Sequence, residues 1–198
     1  MVVAISAAAA FSLTACGGRS TGTTSKGTPD PRYLVAQLSD VSARFVRESS
    51  ETGPTALQTV LNEPWSAGST ALITRERIAG YQATFVGPEA ERIECGAALY
   101  RSRSGGSKVF RLRTRGFTAL LATGKDPPVR GERVGRIGDE TRAFYVRSEF
   151  AEGLIVVWRY RNVVSACTLT GLSPGAKEQL LGVVRAQQSR VAAAVGQA

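Results

Sequence analysis

Short apolar runs separated by turn formers organise this chain, and the densest lie between positions 138 and 170. Leu154-Ile155-Val156-Val157-Trp158 and Val163-Val164-Ser165-Ala166-Cys167 are rich in β-branched and aromatic residues and bounded by turn formers, which predicts strands. Arg161-Asn162 between them suits a tight hairpin, with Asn tolerating the left-handed backbone such a turn needs. Positions 142–147 supply a third strand, so an antiparallel meander forms the heart of the predicted fold. Further upstream, Tyr81, Ala83 and Phe85 alternate with Gln82 and Thr84 over 78–86. Gly87-Pro88-Glu89 then turns the chain, and Ile93, Cys95, Ala97 and Leu99 share one face of a second strand.

Helical spacing marks the remaining elements. Asp30-Pro31 reads as a cap followed by a first turn, and Leu34, Leu38, Val41 and Phe45 form an amphipathic stripe ending near Glu48. A short helix fits 55–61. Over 106–121, Val109, Leu112 and Leu120 share one stripe while Phe110, Phe117 and Leu121 share another. Gly116 weakens that helix, and the alternation of Phe110 to Arg113 also suits a strand, so both readings stand. Lys125 to Arg136 reads as a loop rich in Pro, Gly and Arg. Ser173-Pro174 opens a last helix carrying Leu180, Leu181, Val184, Val191 and Val195. The predicted class is α+β, an antiparallel sheet with helices on one face. Arg77-Ile78 with Phe85 is echoed by Arg136-Ile137 with Phe144 at the same spacing, which suggests two similar hairpin–helix halves.

The first fifteen residues are a different kind of sequence. MVVAISAAAAFSLTA is predominantly apolar but shorter than the roughly 20 residues of a membrane-spanning helix. It suits the apolar region of a secretory signal followed by small residues. Leu13-Thr14-Ala15-Cys16 resembles a bacterial lipobox, which implies cleavage after Ala15 and acylation of Cys16. No Lys or Arg precedes the apolar run, a departure that a start codon further upstream would explain. Residues 16–29 then form a flexible polar linker, leaving 30–198 as one extracytoplasmic domain. Gly18-Arg19-Ser20-Thr21-Gly22 fits a nucleophile-elbow pattern, but it lies in the linker, without the strand, helix and His that chemistry needs.

Composition narrows the chemistry. The chain has no His, which removes the commonest general base and metal ligand. No phosphate loop, dinucleotide fingerprint or zinc spacing occurs, so no cofactor and no metal is expected. Cys95 and Cys167 are the two cysteines besides Cys16, and an exported compartment favours a disulfide between them over a pair of buried thiols. The net charge is +9, and eleven basic residues against four acidic ones between Arg101 and Arg142 supply most of it. Within that stretch Arg111, Arg113 and Arg115 are candidate anion-binding residues. For an exported chain the expected partners are anionic lipid or a cell-wall polymer rather than nucleic acid, and a solvated arginine-rich surface is the plainer alternative. Asp139-Glu140 tempts as a carboxylate pair, although adjacent residues diverge and Gly138-Asp139 suits a turn.

Gly138-Asp139-Glu140 and Arg161-Asn162-Val163-Val164, with the final amphipathic helix, resemble a loose class of actinobacterial lipoproteins. From about Gly80 onward the pattern is also similar to the extracellular sensor domains of mycobacterial serine/threonine kinases, with one cysteine pair here instead of two. The resemblance implies an extracytoplasmic module that binds a ligand or partner. The expectation is thus a non-enzymatic lipoprotein tethered to the membrane through Cys16. The alternatives are a secreted hydrolase using carboxylates such as Glu76, Asp139 or Glu149, or a structural envelope protein.

Overall fold

The computed structural model of the chain describes residues 28–63, 66, 68–121, 129–147, 152–171 and 175–196. The lipobox, most of the linker, Glu149 and the Ser173-Pro174 cap lie outside the described residues. The chain builds β1 (Val46–Arg47), β2 (Gly53–Pro54), α1 (Leu57–Leu61), α2 (Thr70–Glu76), β3 (Arg77–Val86) and β4 (Arg92–Tyr100). It continues with α3 (Arg103–Leu121), β5 (Val129–Glu132), β6 (Glu140–Arg147), β7 (Glu152–Tyr160), β8 (Val163–Thr170) and α4 (Ala176–Gly196). All strands join one antiparallel sheet of order β1-β3-β4-β8-β7-β6-β5, with β2 also on the free edge of β3. The α+β class and the meander over β6, β7 and β8 are those predicted. The ambiguous stretch before Leu121 is helix, beginning three residues earlier than expected.

The helices cover both faces of the sheet, not one. Val156, Trp158, Cys167 and Leu169 pack with Leu180, Val184 and Val191 of α4. Val157, Val164 and Ala166, alternating with them, pack with Ile73 of α2 and Val109 and Phe110 of α3. Adjacent residues of a strand point to opposite faces. The unbroken apolar runs of β7 and β8 are therefore the signature of a strand covered on both sides. A two-fold axis normal to the sheet would exchange the antiparallel neighbours β4 and β8 but keep each face where it is. The helices that follow these strands lie on opposite faces, so the two halves are not copies related by that axis.

The N-terminal segment differs as well. In place of an amphipathic helix, residues 31–51 hold three single 3-10 turns and the short strand β1. Asp30 does cap the first turn, accepting from Arg32 N at 2.9 Å, but the helix does not propagate. Leu34, Val41 and Phe45 of the predicted stripe are buried, but so are Val35 and Ala36 in succession, and Leu38 is 50% exposed, which is not a helical pattern. Tertiary bonds replace the helical ladder. Asp40 accepts from Gln37 N at 2.7 Å and takes both terminal nitrogens of Arg190 on α4 at 2.8 Å. The segment thereby seals the α4 side of the core.

Cys95 and Cys167 face each other across β4 and β8, with Cα atoms 4.1 Å apart and sulfurs bonded, both fully buried. They lie 72 residues apart, and closing a loop of that length stabilises a fold by about 4 kcal/mol in the chain-entropy account. Two measurements check this. Denatured, unreduced protein from its native compartment should show no titratable thiol at these positions. Reduction should lower unfolding stability by about 2–4 kcal/mol, and an unchanged urea midpoint after complete reduction would contradict it.

Candidate functional site

The strand ends near the β7–β8 turn, together with the first turns of α3, gather most of the chemistry-bearing side chains. Ser102 caps α3, its Oγ accepting from Gly105 N at 2.8 Å and donating to Glu76 Oε2 at 2.9 Å. Gly105 and Gly106 let the helix start there. A Cβ on Gly105 would meet Glu76 Oε2 at 2.2 Å, and one on Gly106 would crowd the Asn162 backbone at 3.3 Å. In the β7–β8 turn it is Arg161, at φ 51°, that takes the left-handed conformation assigned to Asn162. Asn162 instead donates through Nδ2 to Tyr100 O at 2.7 Å.

Of the carboxylates named for a hydrolase, Asp139 and Glu76 are held by structural partners, as is Glu140 beside Asp139. Arg159, with only 11% of its side chain exposed, reaches Asp139 Oδ2 at 3.0 Å and Glu140 Oε1 at 2.6 Å. Asp139 also accepts from Arg161 N at 2.8 Å, which fixes the turn. Glu140 accepts from Ser107 Oγ at 3.0 Å, and Ser107 in turn accepts from Arg111 Nη2 at 3.0 Å. Gly138, at φ 65°, leaves no room for a Cβ, which would stand 2.4 Å from Arg159 O. The pair thus ties β6, β7, the turn and α3 together. The Ser102 hydroxyl, with help from Arg75, holds the Glu76 carboxyl below its usual range despite the opposing effect of desolvation. A general acid working near neutrality needs a shift the other way. Among the described residues no cluster of three or more His, Cys, Asp or Glu is placed to hold a metal.

The three arginines proposed from sequence separate on α3. Arg111 and Arg115, four residues apart, are exposed and line a shallow depression with Lys108 and Leu72. Arg113 turns toward the sheet and lines a separate cavity with Arg77 and Tyr100. Burial lowers the pKa of Arg113, and of Arg77 likewise. It raises that of Tyr100, so the phenol is neutral at ordinary pH. Sequence reasoning did not find Arg77; its place at the start of a strand carries no signal of where its side chain lies.

A second basic surface lies at the same sheet end. Arg101, Arg103, Arg161 and Asn162 border a depression whose other walls include Ile78 and Val195, and Thr28 and Pro29 lie against it. The neighbouring hollow holds Arg103, Lys108 and Arg111 beside Asp139 and Arg159. No helix among the described residues is long and apolar enough to cross a membrane.

These features define a class by architecture: a disulfide-clamped antiparallel sheet with helices on both faces and arginines at one end. No family model matches the chain, and no curated protein matches it by sequence. Among solved structures, the extracellular domain of PknH from Mycobacterium tuberculosis superposes with a TM-score of 0.53 at 11% identity. The match covers 83% of this chain and 99% of that one, more of the chain than the resemblance from Gly80 onward implied. At such identity the likeness is one of fold.

The structural role of the carboxylates is testable. Asp139→Ala should leave Arg159 short of a partner and Arg161 N unbonded, lowering stability by about 1–3 kcal/mol. Urea unfolding reads this directly, and a variant as stable as the parent would contradict the clamp.

Proposed function

We propose that the chain is an extracytoplasmic, non-enzymatic module tethered to the membrane through acylated Cys16, binding a ligand or cell-envelope component with its arginine-rich end. Two observations are compatible with the compartment. A disulfide at the sheet centre persists only where thiols are not kept reduced. The fold is similar to that of the extracellular domain of PknH.

The observation that carries the reading is the position of the first described residues. Thr28 and Pro29 lie beside Arg101, Arg103 and Arg161, at the basic end of the domain. Thr28 lies twelve residues after Cys16, a stretch that can span at most about 40 Å, so a lipid on Cys16 would keep that end within reach of headgroups or a wall polymer. Each arginine reaching an anionic surface would contribute about 1 kcal/mol, falling off over a Debye length of ~10 Å. In this arrangement acylation places the domain and the arginines orient it.

Two tests separate anchor from surface. Cys16→Ser should move the protein from the membrane fraction to the soluble one, and a Ser variant that survives carbonate washing would sink the anchor. The released variant should bind vesicles containing anionic phospholipid at low salt and lose most of that binding when salt is raised. Replacing Arg101, Arg103 and Lys108 together with Gln should remove it with little change in melting temperature. Equal binding to neutral vesicles would overturn the electrostatic part.

A further inference from the structure

The cavity between α1, α3 and the β3–β4 hairpin has a construction that core packing does not require. Arg77 opens β3 at an irregularity in its pairing with β4, where the register shifts between Arg77 and Ala79. Such irregularities re-aim a side chain relative to the sheet. Here the guanidinium passes over Gly80, where a Cβ would stand 2.3 Å from Arg77 Nη2. Gly80 is therefore the space through which Arg77 reaches inward. Its Nη2 donates to Thr55 O at 2.6 Å, while its Nε is buried without a hydrogen bond. From α3, Arg113 lines the same cavity with its Nε also buried. Small residues of β4, Gly96 and Ala98, line it where larger ones would fill it, and Gln82 and Tyr100 complete the polar lining.

Charge and size limit what fits. Among the described residues Arg77 forms no ion pair, and the carboxylate that lines the cavity is Glu63, an exposed residue. A guanidinium half withdrawn from water, as that of Arg77 is, is costly unless an anion meets it. The open volume is about 80 Å³. At roughly 10–15 Å³ per water-sized body, it holds on the order of six non-hydrogen atoms. That is a carboxylate or a tetrahedral oxyanion. A guanidinium offers a planar fork of donors to either.

We propose that this cavity binds a small oxyanion, the carboxylate or phosphate group of a ligand, between the guanidiniums of Arg77 and Arg113 beside Tyr100. The inference names a ligand chemistry for the binding module and rests on that reading, but not on the anchor at Cys16. The arginine-rich end is a separate surface, so either can fail without the other.

The test titrates the full chain with inorganic phosphate and with acetate, against sodium chloride at matched ionic strength. Melting temperature should rise with phosphate, acetate or both, in a saturable way that chloride does not reproduce. A phosphate response alone assigns a phosphate group, and an acetate response alone a carboxylate. Arg77→Gln and Arg113→Gln should each weaken binding at least tenfold, while Arg185→Gln on the exposed side of α4 leaves it unchanged. Ala98→Leu, which fills the cavity and keeps both charges, should abolish binding too. If an arginine variant does not fold, the parent protein still decides the matter. On titration the Nε–H resonances of Arg77 and Arg113 should shift together and saturate. Shifts confined to exposed arginines, a chloride response equal to the others, or no response to either anion would overturn the proposal.

Discussion

The pairing of β4 with β8 is the contact on which the rest depends. It joins the β3–β4 hairpin to a meander formed much later in the chain, and no shorter-range contact does the same work. Eight consecutive register pairs and a buried disulfide hold it. Because both strands are covered on both faces, the pairing also fixes where α3 and α4 pack. A slip of one residue would turn Val164 and Ala166 toward α4, and Cys167 and Leu169 toward α3. The crosslink forbids that slip outright. Non-local pairing is entropically expensive during folding, and a covalent tie between distant strands lowers that cost in the unfolded chain.

Much of this order was legible in the residues. β7, β8, β3 and β4 announced themselves through β-branched runs or strict alternation, and α4 through its periodic Leu and Val. Where reading failed, the deciding force was not local. The stripe of Leu34, Leu38, Val41 and Phe45 has helical spacing, yet Arg190 from α4 claims Asp40 and the segment folds as single turns against the core. β5 contributes little apolar pattern because it is an edge strand held through its backbone to β6. The two-sided cover of the sheet was written in Leu154–Trp158, whose unbroken apolarity leaves no face for water.

The arginines show a different limit. Summing charge along the chain finds a basic segment, but charge has no direction until the backbone supplies one. On α3 the spacing of two and four residues sends Arg111 and Arg115 outward and Arg113 inward. Arg159 spends its charge on Asp139 and Glu140, which are lost in turn to any acid–base role. The arginines therefore resolve into a clamp, an outer surface and an inward-facing group, each with different energetics.

Arg77 matters most for function, because a half-buried guanidinium with an unbonded Nε needs a reason. A charge in the interior is tolerated when partners on the protein satisfy it, as the two carboxylates do for Arg159. Arg77 has the Thr55 carbonyl for one nitrogen and nothing comparable for its Nε. Gly80 gives up a side chain to admit it, and Gly96 and Ala98 keep the space beside it unfilled. An apolar residue at position 77 with a larger one at 98 would pack this face more cheaply. The arrangement is better suited to meeting an anion that comes and goes than to holding the sheet and its helices together.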